Sequence, residues 1–216
     1  MLQEKSELES YLEKSGLYIL KDEDAKAMAE CTAVAYNDYS LLTHFYGGKY
    51  SSRLNEKVWL ANFYALRKQG VIYADSKEVT ATAIALPRFF KKEKTLPFLL
   101  NGGLYALFAA GTKSLIKMQK YEDYSLEIKK KITNLDCIYL NNLSVRPEFQ
   151  GQGFASKLFL PVFRYADEKH YSCYLETHTL SNTELYKHYG FDIAYTGTVP
   201  MSNLTHYAMI RNPKQI

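Results

Sequence analysis

Between Leu143 and Ser156 the chain reads L-S-V-R-P-E-F-Q-G-Q-G-F-A-S, the stretch whose residue types carry chemistry most plainly. A strand-like run ends at Val145, Pro147 turns the chain, and a helical pattern begins at about Gly153. Gln150, Gly151, Gln152, Gly153, Phe154, Ala155 and Ser156 then offer backbone N–H groups at a helix start, where the helix dipole favours negative charge. The two glycines let the main chain approach a ligand that a β-carbon would hold off. The chemistry implied is a cradle for a phosphate or pyrophosphate.

Two kinds of nucleotide site use such a turn. A dinucleotide-binding turn would take Gly151 and Gly153 as its first glycines and Glu176 as its ribose-binding acid. Against it, Arg146 to Gln150 separate the strand from Gly151, Ser156 stands at the third glycine position, and about 60 residues remain for a second half. The other kind fits residue by residue. Gln150, Gly153 and Ala155 resemble the Q/R-x-x-G-x-G/A signature of the GCN5-related N-acetyltransferase (GNAT) family. A second stretch, N-T-E-L-Y-K-H-Y-G-F from Asn182 to Phe191, is similar to that family's L-Y-x-x-x-G-F ending. The closing segments Y-L-E-T, T-V-P and A-M-I-R-N-P resemble the branch that contains puromycin N-acetyltransferase.

The resemblance implies acetyl-CoA as co-substrate, its pyrophosphate on the loop amides and its pantetheine arm along Leu143, Ser144 and Val145. It implies acetyl transfer to a primary amine of a small molecule by direct attack in a ternary complex. Protein lysine or N-terminal acetylation and a non-catalytic acetyl-CoA-binding module are the alternatives. Tyr186 matches the family's general acid; with an ordinary pKa of about 10 it holds a proton for a departing thiolate. The backbone amide of Leu143 is the candidate oxyanion donor. Many relatives carry a carboxylate base six residues before the strand's valine, where this chain has Tyr139. Glu176 is the nearest acidic substitute and His178 the other. Asn182 either bonds the cofactor arm or caps a helix. Tyr36, Tyr39, Phe45 and Tyr46 cluster where relatives bind acceptor, and serve either amine recognition or packing.

These residues need elements to hold them. Leu2–Lys14 and a segment from Asp22 or Asp24 to about Asn37 read as helices, and residues 38–53 as a loop. Asn55 caps a helix that stops at Gly70. Leu17–Leu20, Val71–Ala74, Val79–Leu86, Ile138–Val145, Ser172–Glu176, Phe191–Thr198 and His206–Arg211 read as strands. Helices are expected over 153–168 and 182–189. The fold class is therefore α/β (α+β). By resemblance it is the GNAT fold, a central mixed, mostly antiparallel sheet flanked by helices. A helical insertion at about 88–133 falls between the third and fourth strands. The charge-free stretch Thr95–Thr112 is expected to wall the acceptor site through Phe98, Leu104 and Phe108. Lys129, Lys130 and Lys131 are expected to be a solvated helix end.

The 216 residues suit one domain, 1–216. Hydrophobic content of 47% and charged content of 23% suit a packed core and oppose disorder. A net charge of +4 is too small to argue for nucleic acid. Cys31, Cys137 and Cys173 are odd in number and widely spaced, so neither disulfides nor a metal site is signalled. No export signal is read at the start, and Thr95–Thr112 is broken by Pro97, Asn101 and glycines. The expectation is a cytoplasmic protein with no membrane partner.

Overall fold

A computed structural model of the chain describes residues 2–47, 50–87, 98–133 and 136–214. In chain order the elements are α1 (Leu2–Lys14), β1 (Tyr18–Ile19), α2 (Ala25–Ala35), α3 (Ser40–Tyr46), α4 (Ser52–Leu66), β2 (Val71–Ala74) and β3 (Ala81–Pro87). A π turn at Leu99–Gly103 leads into α5 (Leu104–Ala110) and α6 (Thr112–Ile132). Then come β4 (Cys137–Val145), α7 (Phe154–Glu168), β5 (Ser172–Thr177), α8 (Leu180–His188), β6 (Asp192–Thr198) and β7 (Thr205–Arg211). The strands form one sheet in the order β1-β2-β3-β4-β5-β7-β6. Every neighbouring pair is antiparallel except β4 and β5, which run parallel. The sheet is therefore mixed and mostly antiparallel, with helices between its third and fourth strands.

Helical periodicity decides which face each helix covers. In α7 the residues Leu158, Phe159, Val162, Phe163 and Ala166 fall on one stripe, and they pack with Leu8 and Leu12 of α1 onto Tyr73, Ala83, Ile138 and Leu175. On the other face, Met28 of α2 and Phe63 and Leu66 of α4 cover Ile72, Ile84 and Leu86. Each such side chain contributes roughly 1.5–3 kcal/mol by leaving water. Ile128 of α6 covers Cys137, Tyr174 and Ala208 at the far half of the sheet.

Four expectations change. Part of the 38–53 loop is α3, whose Leu41, Leu42, Phe45 and Tyr46 make one buried face. The cap of α4 is Ser51, whose Oγ accepts from the Leu54 N–H at 3.2 Å. Asn55 lies inside that helix, buried, and donates to the Ala33 carbonyl at 3.0 Å. Its short amide ties α4 to α2 instead of opening a helix. Lys129 is not solvated but 4% exposed, while Lys130 and Lys131 do face water.

The fourth change concerns the insertion. The π turn and α5 lie along α4, so close that a β-carbon on Gly102 would stand 2.9 Å from the Lys57 carbonyl oxygen. That packing turns Leu104 and Phe108 outward, Phe108 to 85% exposure, so neither walls a pocket. Residues 95–97 of the charge-free stretch lie outside the described residues. Among the described residues no helix is long and apolar enough to cross a membrane.

Candidate active site

The sheet comes apart at its parallel pair. β4 and β5 are matched at Cys137 with Ser172, Ile138 with Cys173 and Tyr139 with Tyr174, and no further. Beyond that point β4 stays with β3 up to Val145 opposite Ala81, but the register slips between Ile84 and Ala85, leaving Asn141 as an extra residue. A bulge bends its strand and increases the local twist. This one sits where β4 leaves β5, and a wedge opens between the two strand ends.

Backbone alternation decides which groups line the wedge. The Arg146 N–H bonds the Thr80 carbonyl at 3.2 Å, so even-numbered residues at this end of β4 address β3. Leu143 and Val145 address the wedge. The Leu143 carbonyl accepts from the Tyr36 hydroxyl at 3.2 Å and the Val145 carbonyl from the Gln150 side-chain amide at 3.2 Å. Their N–H groups lie on the same open edge. Ser144 does not belong with them: its backbone addresses β3, and its buried hydroxyl donates to Asn142 Oδ1 at 3.0 Å.

The glycine loop follows directly. Pro147–Phe149 form a short 3-10 turn in which the Phe149 N–H bonds the Arg146 carbonyl and the Gln150 N–H bonds that of Pro147. Gln150 therefore holds the loop with both its main chain and its side chain. Gln152 does the same with its side-chain amide on the Glu148 carbonyl at 3.0 Å. From Gly151 to Ser156 the six N–H groups have no acceptor among the described residues. Gly151 and Gly153 take φ of 75° and 84°, the left-handed region, and a β-carbon on either would meet nothing within 4 Å. Six free donors, the start of a 15-residue helix and open space beside the two glycines fit a diphosphate.

Opposite the loop, α8 ends at His188, and Gly190, two residues on with φ of 88°, turns the chain into β6. Asn182 lies within α8, with Thr179 at the N-cap position, and donates to Thr177 Oγ1 at 3.2 Å. It thus fixes α8 to the end of β5 and caps nothing. Tyr186 is half-buried between the rings of Phe159 and Phe191, at 6.2 and 6.1 Å. Burial, and then the neighbouring Tyr36 and Tyr39, push its pKa above the ordinary 10, so the hydroxyl keeps its proton. That hydroxyl has no hydrogen-bond partner among the described residues.

The other face of the wedge holds a polar cluster. Tyr174, Glu176 and His178 follow one another on the side of β5 that α6 covers. From α6, Tyr121, Ser125 and Lys129 come down at i, i+4 and i+8. Glu176 accepts from Ser125 Oγ at 2.7 and 2.8 Å, from the Tyr174 hydroxyl at 2.7 Å and from the Tyr121 hydroxyl at 3.3 Å. Burial opposes its ionisation, but Lys129, His206 and the hydroxyl donors prevail and hold its pKa below the carboxylate value. The Lys129 ammonium stands 3.6 Å from the centre of the Tyr139 ring. Tyr139, at the position where relatives carry a base, is thus a platform for a buried cation.

His178 Nδ1 lies 2.8 Å from the Tyr39 hydroxyl, and its Nε2 lies 3.0 Å from the Tyr121 hydroxyl and 3.4 Å from His206 Nδ1. Burial, with His206 beside it, pulls the His178 pKa down to about 3, so the ring is neutral. Tyr36 and Tyr39 stack edge to face at 5.0 Å across the wedge mouth, Tyr36 on β4 and Tyr39 on the residue after β5. Phe45 and Tyr46 instead pack into the cluster around α3. The sequence reading missed Tyr121, Ser125, Lys129 and His206. The four-residue spacing of the first three was its available signal. Among the described residues no group of three or more His, Cys, Asp or Glu is placed to hold a metal ion.

Residues 117–193 match the model of the acetyltransferase (GNAT) domain. A stretch of 53 residues is 38% identical to an uncharacterised N-acetyltransferase of Schizosaccharomyces pombe, covering 24% of this chain and 22% of that relative's length. The fold is shared with a histone acetyltransferase HPA2 and related acetyltransferase structure from Corynebacterium glutamicum (TM-score 0.60, 14% identity, 93% of this chain and 97% of that one). It is shared also with the Drosophila melanogaster polyamine N-acetyltransferase (TM-score 0.57, 12% identity, 91% and 98%). The matched stretch runs from α6 to the start of β6 and includes the loop, Glu176 and Tyr186, so the likeness to the acetyltransferase (GNAT) domain falls on the segment that builds the wedge.

Proposed function

We propose that this protein is an N-acetyltransferase that moves the acetyl group of acetyl-CoA to a primary amine of a small molecule, by direct attack in a ternary complex. The observation that carries the reading is the wedge: a cradle of six free amides on one face of the sheet, an aromatic-walled polar cluster on the other, and an unpaired tyrosine hydroxyl beside the gap. Acetyl-CoA supplies an activated acyl thioester. The amides of Gly151 to Ser156 hold the pyrophosphate, and the wedge edge of Leu143 and Val145 holds the pantetheine arm and orients it. The Leu143 N–H donates to the oxygen that gains charge as the amine attacks. Tyr186 gives its proton to the leaving sulfur. Tyr36 and Tyr39 face the incoming amine and exclude water from it. A small-molecule acceptor follows from the likeness of the carboxy-terminal stretch to the puromycin N-acetyltransferase branch and from an acceptor side closed by rings.

Thiol release from acetyl-CoA, measured against a panel of alkyl- and arylamines, tests the reading. Wild-type protein should release thiol with at least one amine. Tyr186→Phe should lower kcat by roughly 10²- to 10⁴-fold with acetyl-CoA affinity nearly unchanged. No release with any amine, or a Tyr186→Phe effect confined to KM, would contradict it.

A further inference from the structure

We propose that the proton of the acceptor ammonium leaves through four side chains in series, Tyr39, His178, Tyr121 and Glu176, and that Glu176 is its store at the far end and never touches the substrate. The inference rests on the acetyltransferase reading above. One tautomer satisfies every link. The Tyr39 hydroxyl donates to His178 Nδ1 at 2.8 Å, the His178 Nε2–H donates to the Tyr121 oxygen at 3.0 Å, and the Tyr121 hydroxyl donates to Glu176 Oε2 at 3.3 Å. All three donors then point the same way, from the wedge mouth to the carboxylate. The competing contact, His178 Nε2 to His206 Nδ1, is longer at 3.4 Å and leaves His206 Nε2 buried without a partner in either case.

The ends of the series differ in access. Tyr39 is half-exposed at the wedge, packed against Tyr36, which reaches the Leu143 carbonyl. His178 and His206 are buried, and Glu176 is enclosed by the hydroxyls of Ser125, Tyr174 and Tyr121. A direct contact between an amine and Glu176 would require removing these donors. The groups facing His178 are Tyr39 from the α2–α3 connection, Tyr121 from α6, His206 from β7 and Glu176 from its own strand, with Lys129 behind the carboxylate. His178 is held neutral by burial, so a proton does not rest on the ring but displaces the one on its opposite nitrogen.

The transfer balances as one proton moved and no bond between heavy atoms changed. The ammonium proton goes to the Tyr39 oxygen and the Tyr39 proton to Nδ1. The Nε2 proton goes to the Tyr121 oxygen and the Tyr121 proton to Oε2. A neutral amine and a neutral Glu176 replace an ammonium and a carboxylate. After product leaves, the proton returns along the same bonds to water in the emptied wedge.

Tyr121→Phe interrupts the middle of the series and leaves both ends and the ring packing in place. Thiol release is measured for wild type and variant at pH 7 with two acceptors of similar size, an alkylamine that is protonated there and an arylamine that is not. The melting-temperature rise with acetyl-CoA reports folding and cofactor binding. The expected result is a fall in kcat of about 10²-fold for the alkylamine, a change within about twofold for the arylamine, and an unchanged thermal shift. The alkylamine deficit should shrink as pH rises through that amine's own pKa. Tyr39→Phe, which also alters the acceptor side, should cost the alkylamine more than the arylamine. Equal losses for both amines in an active protein overturn the relay alone. A wild type that binds acetyl-CoA but releases thiol with no amine of the panel overturns the acetyltransferase reading and the relay together.

Discussion

The glycine loop and the cluster under α6 sit on opposite faces of the same gap and are built on opposite plans. The loop is main chain: its six donors have no acceptor among the described residues, and the space beside its glycines is open. The cluster is side chain: Glu176 is surrounded by three hydroxyls and neutralised by Lys129, and His178 is in contact at both nitrogens. A surface that leaves its donors to solvent can hand them to an anionic ligand, because hydrogen bonds to a charged acceptor are stronger than those to the water they replace. A surface that pairs all but a few of its own is fixed in advance and serves to orient and to move protons.

The sharpest way to break this contrast is Gly153→Val. A β-branched residue does not tolerate φ of 84°, so the loop must refold and its amides scatter, while no packed neighbour is displaced. Acetyl-CoA at about 100 times its Kd should stabilise wild type by about 2.7 kcal/mol and the variant not at all, read as melting temperature with and without ligand. Retained stabilisation would mean the anion sits elsewhere.

On the cluster side, Lys129→Met should act on the fold instead of on the cofactor. It leaves Glu176 buried without its cation, a change that costs about 3–5 kcal/mol for a buried pair. Adding Glu176→Gln should restore part of that loss. If the single variant unfolds at the wild-type urea midpoint, Lys129 does not balance Glu176.

A smaller effect appears in pH. His178, at about 3 against an ordinary 6.5, stays neutral in the fold, whereas the unfolded chain takes up a proton below about 6.5. His206 is shifted the same way by burial. The unfolded state thus binds more protons through this window, so stability falls as pH falls from about 6.5 toward about 3. Glu176, with its lowered pKa, contributes at neutral pH and is lost only as pH drops below the ordinary carboxylate range. A urea midpoint independent of pH between 7 and 5 would show that the histidines are not buried neutral.

The two plans also explain what could be read from the sequence. A loop made of backbone announces itself through its neighbours in the chain: Gln150, Gly151, Gly153 and the helix after them are contiguous. Tyr186 was legible for the same reason, standing four residues before Gly190. The cluster draws on Tyr39, Tyr121, Ser125, Lys129, Glu176, His178 and His206, separated by up to a whole sheet crossing, and nothing local brings them together. Lys129 resembled its solvated neighbours Lys130 and Lys131 because helical phase, not residue type, buries it. Ser40–Tyr46 escaped notice because its Gly and Tyr surroundings suggest a loop, while tertiary packing of Leu41, Leu42 and Phe45 makes it a helix.

The early parting of β4 from β5 gives one strand two populations of amide. At the end of β4, Asn142, Ser144 and Arg146 are locked to β3, and their protons should leave for solvent only when the sheet opens. Leu143 and Val145 alternate with them yet have no partner strand, so local fluctuation suffices to expose their protons. Protection along this strand end therefore alternates residue by residue, and an occupant of the wedge raises it only at the odd positions. The gap makes β4 a gauge of its own occupancy, with the even-numbered amides as the internal standard.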